Sequence, residues 1–295
     1  MAGQLKEVRN RIKSVQSTQQ ITKAMKMVSA AKLRRAQDAI VQMRPYANKL
    51  NELISTVSAN TEVGATSPYT KVRPVENVLI IVVTSDRGLC GAFNSNVVKA
   101  ALALIQEKYA PQAAKGKVEI MPLGKKGGET LQKRGFKVNT EYMDIFQRLN
   151  FATARQAAEQ VMDAFTEGKY DVVEIVFNEF KNAATQIIRA EQMLPLVEKK
   201  DDTSNAGKTD YIFEPNRAEI LDNLIPKSIK TQVFKSILDS VASEHGARMT
   251  AMHKATDNAE ALRNDLKIFY NKARQAAITN EILEIVSGAE ALKNS

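Results

Sequence analysis

The chain has 295 residues, of which 44% are hydrophobic and 25% charged, the balance of an ordinary globular protein with one or two domains. Its longest aliphatic run, Val78–Val83, has six residues, whereas crossing a bilayer takes roughly 20. The N-terminal segment has no apolar stretch of signal-peptide type, so we expect a cytosolic, bacterial protein. The single cysteine, Cys90, excludes an internal disulfide and a multi-cysteine metal site. The two histidines, His245 and His253, lack the spacing of a zinc pair, and we expect both to be solvated.

Positive charge is concentrated in the first fifth of the chain. The net charge is +9, and residues 1–58 hold eleven lysines and arginines against three acidic residues, which leaves the rest of the chain nearly balanced. Such a basic arm attracts an acidic partner, which could be a nucleic acid, an anionic lipid or an acidic protein surface.

The first predicted element is a long helix over residues 1–58, since no glycine falls between Gln4 and Glu62. Apolar or small residues recur there at steps of three and four, the narrow stripe typical of a coiled-coil seam. The stripe comprises Leu5, Val8, Ile12, Val15, Met25, Val28, Ala31, Ala36, Ile40, Met43, Leu50, Leu53 and Val57. Polar residues interrupt it at Gln16–Thr22. Pro45 predicts a bend, after which the helix resumes.

Residues 74–215 alternate between strand and helix, which indicates an α/β layer with a mostly parallel sheet. The predicted strands are Val78–Thr84, Val118–Leu123, a short one at Lys137–Thr140, Asp171–Phe180 and Ala184–Leu194. The predicted helices are Ser95–Tyr109, 124–135 and Ala152–Phe165. The polar run Val197–Asp210 is predicted to be a loop.

The stretch TSDRGLCGAFN, Thr84–Asn94, joins the first of these strands to a helix. A strand, a glycine-containing turn and a helix form the layout that cradles phosphate in nucleotide enzymes. The stretch contains Gly88 and Gly91, but neither G-K-[ST] nor G-x-G-x-x-G. A nucleotide-binding α/β enzyme is therefore one alternative, which tight nucleotide binding by the isolated chain would favour. We expect Cys90 to be a small buried residue rather than a nucleophile.

The last predicted element is a second long helix within residues 216–295, which has no proline after Pro226 and only Gly246 and Gly288 as interruptions. A helix of about 60 residues is roughly 90 Å long and needs a long partner, for which the N-terminal helix is the only candidate in the chain. Its expected stripe is Ile229, Val233, Ile237, Val241, Ala247, Ala251, Ala255, Leu262, Leu266, Phe269, Ala273, Ala276, Ile282 and Val286. We therefore predict an antiparallel coiled coil of the N- and C-terminal helices with an inserted Rossmann-like α/β domain, divided at 1–58, 74–215 and 216–295.

Several segments together resemble the gamma-subunit family of F-type ATP synthases. They are Ile12–Gln37, Arg44–Ala47, Thr84–Asn94, Ala247–Ala259 and Tyr270–Leu292. The most specific of the matching patterns is I-T-x-E-x-x-E-x-x-x-G-A, from Ile278 to Ala289. Because these segments lie at both ends and in the middle, the resemblance covers essentially the whole chain.

The resemblance implies a central rotor shaft that is itself non-catalytic and holds no nucleotide, cofactor or metal. Its expected partners are three alpha and three beta subunits, the epsilon subunit and the c-ring of the membrane sector, with no nucleic acid and no membrane insertion. Its expected place is the cytoplasmic face of the bacterial cell membrane. Ion-driven rotation of the c-ring would turn the shaft, which would drive the beta subunits through states of different nucleotide affinity.

Three groups of residues carry the implied contacts. The expected beta-subunit contacts are Lys23, Lys26, Lys32, Arg34, Arg35, Arg248, Arg274, Gln275, Thr279 and Glu281. The second group, which we call the apolar bearing, is Ile278, Ile282, Leu283, Ile285 and Val286. A helix end that is apolar on several faces has to be buried, and apolar contacts without directional register would still permit rotation. The third group, the foot expected to touch the c-ring or epsilon subunit, is Tyr211 and Glu214.

A nucleic-acid-binding coiled coil is the other alternative, because the basic arm fits it. The arm lacks the aromatic side chains of a stacking platform, and neither alternative explains the apolar tail. Salt-dependent DNA binding would be the discriminating observation.

Overall fold

The computed structural model describes residues 2–58, 67–196, 214 and 216–293. The predicted loop Val197–Asp210 lies outside these residues. The helices are α1 (Ala2–Ser58), α2 (Phe93–Lys108), α3 (Ala110–Ala114), α4 (Lys125–Lys133), α5 (Phe151–Thr166) and α6 (Arg217–Lys293), with 3₁₀ turns at Pro68–Thr70 and Ile145–Arg148. The strands are β1 (Val78–Val83), β2 (Val118–Leu123), β3 (Lys137–Val138), β4 (Val172–Phe180) and β5 (Gln186–Leu194).

The five strands form one sheet in the order β3-β2-β1-β4-β5. β1 pairs in parallel with β2 and with β4, β2 pairs in parallel with β3, and only β5 is antiparallel, to β4. The prediction of an α/β fold with a mostly parallel sheet is therefore confirmed. All six residues of β1 are buried, which is the continuous apolar pattern of a strand covered on both faces.

Alternate residues of β1 belong to two separate hydrophobic clusters, one on each face of the sheet. On one face Val78, Ile80 and Val82 pack with residues of α2 and α4, which include Ile105 and Leu131. On the other face Leu79, Ile81 and Val83 pack with α5 and with buried residues of α6, which are Leu221, Ile225, Ile229, Val233 and Ile237. The central sheet is thus sandwiched, and the first turns of α6 are part of its core.

The chain divides into two compact units, Met1–Ser29 with Met249–Ser295, and Ala30–Arg248. These units cut both terminal helices, so the division at 1–58, 74–215 and 216–295 stays a prediction. α1 continues through Pro45 to Ser58, so the expected helix after this proline is present. α6 has 77 residues and contains Pro226, so it is longer than predicted.

In the first unit α1 and α6 run antiparallel and are joined by side-chain hydrogen bonds. Arg9 Nη2 donates to Tyr270 Oη at 2.7 Å, Arg263 Nη1 to Gln19 Oε1 at 3.0 Å, and Thr256 Oγ1 to Thr22 Oγ1 at 2.9 Å. From Arg9 to Thr22 along α1, the hydrogen-bonded partners on α6 run backward from Tyr270 to Thr256. The two helices are therefore antiparallel.

The covered face of α1 follows a strict seven-residue repeat, but its middle is polar. One position of the repeat is Leu5, Ile12, Gln19, Lys26 and Leu33, and the other is Val8, Val15, Thr22, Ser29 and Ala36, all buried or half-buried. On α6 the covered series includes Thr256, Arg263, Tyr270 and Ala277.

The predicted stripe was therefore wrong at several positions of both helices, which on α6 include Ala276, Ile282 and Val286, all exposed. Val28 is 57% exposed and Ala31 is exposed, while Ser29 is buried. Leu262 and Phe269 are 42% and 48% exposed, because each lies one residue before the covered position. Apolar periodicity predicted the covered positions near Leu5–Val15 and from Ala36 onward, whereas the middle of the covered face of α1 is polar and was missed.

Candidate functional site

The place to look for a ligand in this fold is the carboxyl end of the sheet between β1 and β4. The chain moves from β1 outward to β2 and β3 and then crosses back to β4, so the strand order reverses there. Open α/β sheets bind ligands in the crevice at such a reversal. The turn Thr84–Asn94 follows β1 directly and lies at this point.

Two side chains of this turn, those of Thr84 and Asp86, bind the start of α4. Thr84 Oγ1 accepts the backbone N–H of Gly127 at 2.9 Å, and Asp86 Oδ1 accepts that of Lys125 at 3.1 Å. A helix N-terminus binds phosphate through free N–H groups, and these two already have partners. The start of α4 is therefore capped by the chain itself.

The turn is also closed internally around Cys90. Ser85 Oγ donates to Arg87 O at 2.6 Å, and Asn94 Oδ1 accepts the Ser85 backbone N–H at 2.9 Å. Cys90 is 1% exposed, so the prediction of a small buried residue is confirmed. Leu89 takes a left-handed backbone conformation with φ of 62° and is 66% exposed.

One turn of α6 occupies the crevice. Arg248 Nη2 donates to Arg87 O at 3.0 Å and to Gly88 O at 3.2 Å, while its Nη1 pairs with Glu244 Oε1 at 2.5 Å. Ser243 Oγ donates to the carbonyl oxygen of Asn178 near the end of β4, at 3.2 Å. Side chains of α6 thus contact the chain after β1 and near the end of β4, on both sides of the reversal point.

Gly246 permits this close approach of α6 to the β4–β5 loop. A Cβ atom at Gly246 would lie 3.1 Å from the carbonyl oxygen of Ala183. A larger residue would have to push helix and loop apart. The sequence analysis named Gly246 only as an interruption of the long helix, a position where a glycine can indicate a close contact, and did not identify Glu244 or Ser243.

Burial changes the titration of the groups beside Arg248. Burial raises the pKa of Glu244, against the opposing effect of Arg248. His245 is half-buried, and burial, together with the positive charges of Arg248 and Lys32, lowers its pKa to about 4. The expectation of a solvated His245 was therefore wrong. His253 is exposed, as expected, with Nδ1 3.3 Å from Asp257.

The sequence-predicted contact residues of α1 are mostly on the surface. Lys23, Lys32, Arg34 and Arg35 are exposed, and Lys26 is half-buried on the covered face. Leu33, between Lys32 and Arg34, is 5% exposed, which fixes the direction of its charged neighbours outward.

The sequence-predicted contact residues of α6 divide in two. Arg248 is only 9% exposed and is engaged within the chain as described. Arg274, Gln275, Thr279 and Glu281 are exposed, and Thr279 Oγ1 donates to the carbonyl oxygen of Gln275 at 3.0 Å.

The apolar bearing residues lie together on the last turns of α6. Their exposed fractions are 48% for Ile278, 55% for Ile282, 56% for Leu283, 71% for Ile285 and 50% for Val286. Neighbouring exposed aliphatic side chains mark an interaction surface in a folded protein. Of the foot residues, Glu214 is exposed and Tyr211 lies outside the described residues.

Metal sites and membrane-spanning helices can be assessed directly over the described parts of the chain. Those residues include no cluster of three or more histidine, cysteine and acidic side chains able to hold a metal ion. Nor do the helices within them include one with the length and hydropathy of a membrane span.

Comparison with known proteins places the chain in a family. A family model described as ATP synthase matches residues 4–292. A protein of Cytophaga hutchinsonii named ATP synthase gamma chain is 59% identical over 292 residues, covering 98% of this chain and 99% of the relative. One of Flavobacterium johnsoniae with the same name is 57% identical over 288 residues, covering 98% of each.

Solved structures agree in fold. A chain of the Tetrahymena thermophila mitochondrial ATP synthase central stalk and c-ring aligns with a TM-score of 0.55 and 26% identity, over 80% of this chain and 99% of its own. A rotor chain of the Euglena gracilis mitochondrial ATP synthase aligns with a TM-score of 0.64 and 23% identity, over 94% and 100%. The whole-chain match and the high identity of the relatives show that this chain belongs to the ATP synthase gamma-chain family.

Proposed function

We propose that this chain is the central rotor shaft of a proton-translocating F-type ATP synthase and is itself non-catalytic. It would couple rotation of the c-ring to the conformational cycle of the catalytic beta subunits. The observation that carries the proposal is the exposed apolar bearing at the end of a long helix, in a chain of this family.

The crevice geometry supports the non-catalytic part of this proposal. Arg248 and Ser243 of α6 fill the crevice where an α/β enzyme of this topology would bind a nucleotide. The chain would therefore act by contact and shape, by favouring different beta-subunit conformers in turn.

The bearing needs a partner with an apolar inner surface, and a sleeve formed by three alpha and three beta subunits would supply it. Dispersion and apolar contacts have no directional register, so such a sleeve would bury the aliphatic side chains and still let the helix turn.

The charged and polar surface residues would make more specific contacts. Lys23, Lys32, Arg34 and Arg35 are exposed in the middle part of α1 and suit an acidic beta-subunit segment, to which the half-buried Lys26 would add. Arg274, Gln275, Thr279 and Glu281 would hydrogen-bond a beta-subunit loop. We further propose Glu214, with Tyr211, as the foot on the c-ring and epsilon subunit, at the cytoplasmic face of the bacterial membrane.

Co-expression with the alpha and beta subunits of the same genome tests the proposal. The complex would be sized by native mass spectrometry and assayed for ATPase activity with and without this chain. We expect one copy per three alpha–beta pairs and activity that depends on it. Failure to form a complex, with nucleotide retained by the isolated chain, would overturn the proposal.

A truncation after Ala276 tests the bearing. We expect weaker assembly or weaker ATP-driven proton pumping, because the apolar contact is lost. Replacement of exposed Asn271 by Ser, one turn before the truncation point, is the matched control and should leave both unchanged. Normal assembly and pumping by the truncated chain would exclude the bearing role.

A further inference from the structure

A buried carboxyl group lies where α1, α6 and the end of β4 meet. The side chain of Asp239 on α6 is 1% exposed, and its Oδ1 lies 3.8 Å from Nη2 of Arg44 on α1. The same Arg44 nitrogen donates to the carbonyl oxygen of Phe180 at 3.4 Å. Neither Asp239 Oδ1 nor the neighbouring Ser240 Oγ has a hydrogen-bond partner among the described residues.

An ionised carboxylate is costly in such a place. A buried charge is tolerated when ion pairing and hydrogen bonds compensate its lost hydration, and here the nearest cation is beyond hydrogen-bond distance. Burial raises the pKa of Asp239 from 3.8 to about 6. At neutral pH the group is therefore charged in a site better suited to its neutral form.

Charged groups on every neighbouring element act on this carboxyl. Lys235 on α6 and Arg44 on α1 favour its charged form, as does a backbone hydrogen bond from Phe180. Glu179 on β4 opposes it, although Arg189 on β5 pairs with Glu179 at 2.7 Å. Burial of the carboxyl group outweighs the groups that favour its charged form, so the neutral form is favoured more strongly than in water.

The helix that faces Asp239 has a weak point at the same level. Pro45 follows Arg44 inside α1, and a proline has no backbone N–H to donate to the carbonyl oxygen four residues earlier, at Val41. Local opening of α1 therefore breaks fewer hydrogen bonds here than elsewhere along the helix.

We propose that Asp239 is a proton-controlled lock on this helix junction, which is tight when the carboxyl is neutral and opens readily when it is charged. The sign follows from linkage. The closed junction binds the proton more strongly than an open, hydrated one, so acid favours the closed form and this advantage is lost as pH rises through about 6. The inference concerns the isolated chain and does not depend on the proposed function.

Hydrogen exchange of the intact full-length chain, measured by mass spectrometry and corrected for intrinsic rates, tests the lock. We expect protection of peptides covering residues 40–47 and 236–241 to rise about tenfold from about pH 7.5 to about pH 5, with no such change in peptides of α2. Equal protection at the two pH values would overturn the proposal.

The Asp239→Asn variant tests whether Asp239 itself causes the pH dependence of protection. A neighbour such as Glu244, whose pKa is also raised by burial, remains unchanged in this variant. The variant should show the high protection at both pH values, since asparagine is permanently neutral. Asp222→Asn, which removes an exposed carboxyl from the same helix, should behave like the unmodified chain. If Asp239→Asn retained the pH dependence, or lowered protection while remaining folded, Asp239 would not be the lock.

Discussion

Arg248 and Arg87 are joined by a hydrogen bond of 3.0 Å from the guanidinium Nη2 of the first to the carbonyl oxygen of the second, 161 residues apart in the chain. This contact ties α6 to the turn that follows β1, at the point where an α/β enzyme would bind its nucleotide. A backbone carbonyl takes the donor that could otherwise have met a phosphate. The contact is consistent with the proposal that the glycine-containing turn after β1 has a structural role.

The Arg248→Ala substitution should lower the free energy of unfolding by about 3 kcal/mol, because it leaves Glu244 buried without its cation and removes the hydrogen bonds to the carbonyl oxygens of Arg87 and Gly88. Urea denaturation followed by circular dichroism would measure it. Arg248→Lys should recover only part of the loss, since an ammonium group cannot bridge Glu244 and the turn as the planar guanidinium does.

Arg274→Ala is the matched control for this substitution, because Arg274 is an exposed arginine of the same helix. Its effect on stability should stay within about 0.5 kcal/mol. An Arg248→Ala variant as stable as this control would show that the contact contributes nothing to the fold.

The Gly124→Ala substitution should lower the free energy of unfolding by about 3–5 kcal/mol, through overpacking and a backbone conformation unfavourable for alanine. Gly124 has φ of 114°, and an added Cβ would lie 2.2 Å from the carbonyl oxygen of Thr84. Gly135→Ala measures the cost of the backbone conformation alone, because Gly135 has φ of 86° but no atom within 4 Å of an added Cβ. We expect a cost of about 1 kcal/mol there. Equal costs for the two variants, measured by chemical denaturation, would refute the close approach to Thr84.

His245 should make the protein less stable in mild acid. Its pKa is lowered from 6.5 to about 4 in the folded chain, so the unfolded chain binds the proton more strongly between these values. Stability is therefore lost as pH falls through this window, by about 2 kcal/mol after allowing for partial exposure. Asp239, whose pKa is raised, contributes with the opposite sign over much of the same range.

Because the two effects offset each other in the free energy of global unfolding, the pH dependence of unfolding of the unmodified chain does not by itself reveal His245. The difference in unfolding free energy between His245→Gln and the unmodified chain should shift in favour of the variant as pH falls. His253→Gln, at an exposed position, should show no such trend. A difference independent of pH would contradict the buried state of His245.

The position of the α1 seam can be tested by two truncations to alanine. Leu33 is 5% exposed, and Leu33→Ala should cost about 3 kcal/mol through lost burial and a cavity. Val28 is 57% exposed, and Val28→Ala should cost less than about 0.5 kcal/mol in the isolated chain. Thermal and urea unfolding of both variants would distinguish the observed seam from the one predicted by apolar periodicity. A large loss of stability in Val28→Ala would support the predicted seam.

Much of the architecture was predictable from local pattern. The long stretch without glycine before Glu62 predicted α1, and the aliphatic run Val78–Val83 predicted a strand buried on both faces. Helix and strand follow from backbone preference and side-chain period, which neighbours along the chain determine. The family signature, which ends at Ala289, was likewise readable without a structure.

The face through which each long helix packs was decided only by the tertiary structure. Gln19, Thr22 and Arg263 are covered because their partners lie opposite on the other helix, while Val28, Leu262 and Phe269 point outward. A hydrophobic stripe identifies a surface that has to be covered, and it cannot tell whether another helix of the same chain or a different protein covers it.

The sequence by itself determined the elements, the sheet class and the family, because those depend on local periodicity and on motifs read in order. The tertiary structure decided the seam, the filled crevice and the environments of Arg248, His245 and Asp239. Each of these depends on residues more than a hundred positions apart, such as Arg44 and Asp239, that come together only when α1 and α6 pack around the sheet. Burial and charge compensation are properties of that packing, and no window along the chain contains them.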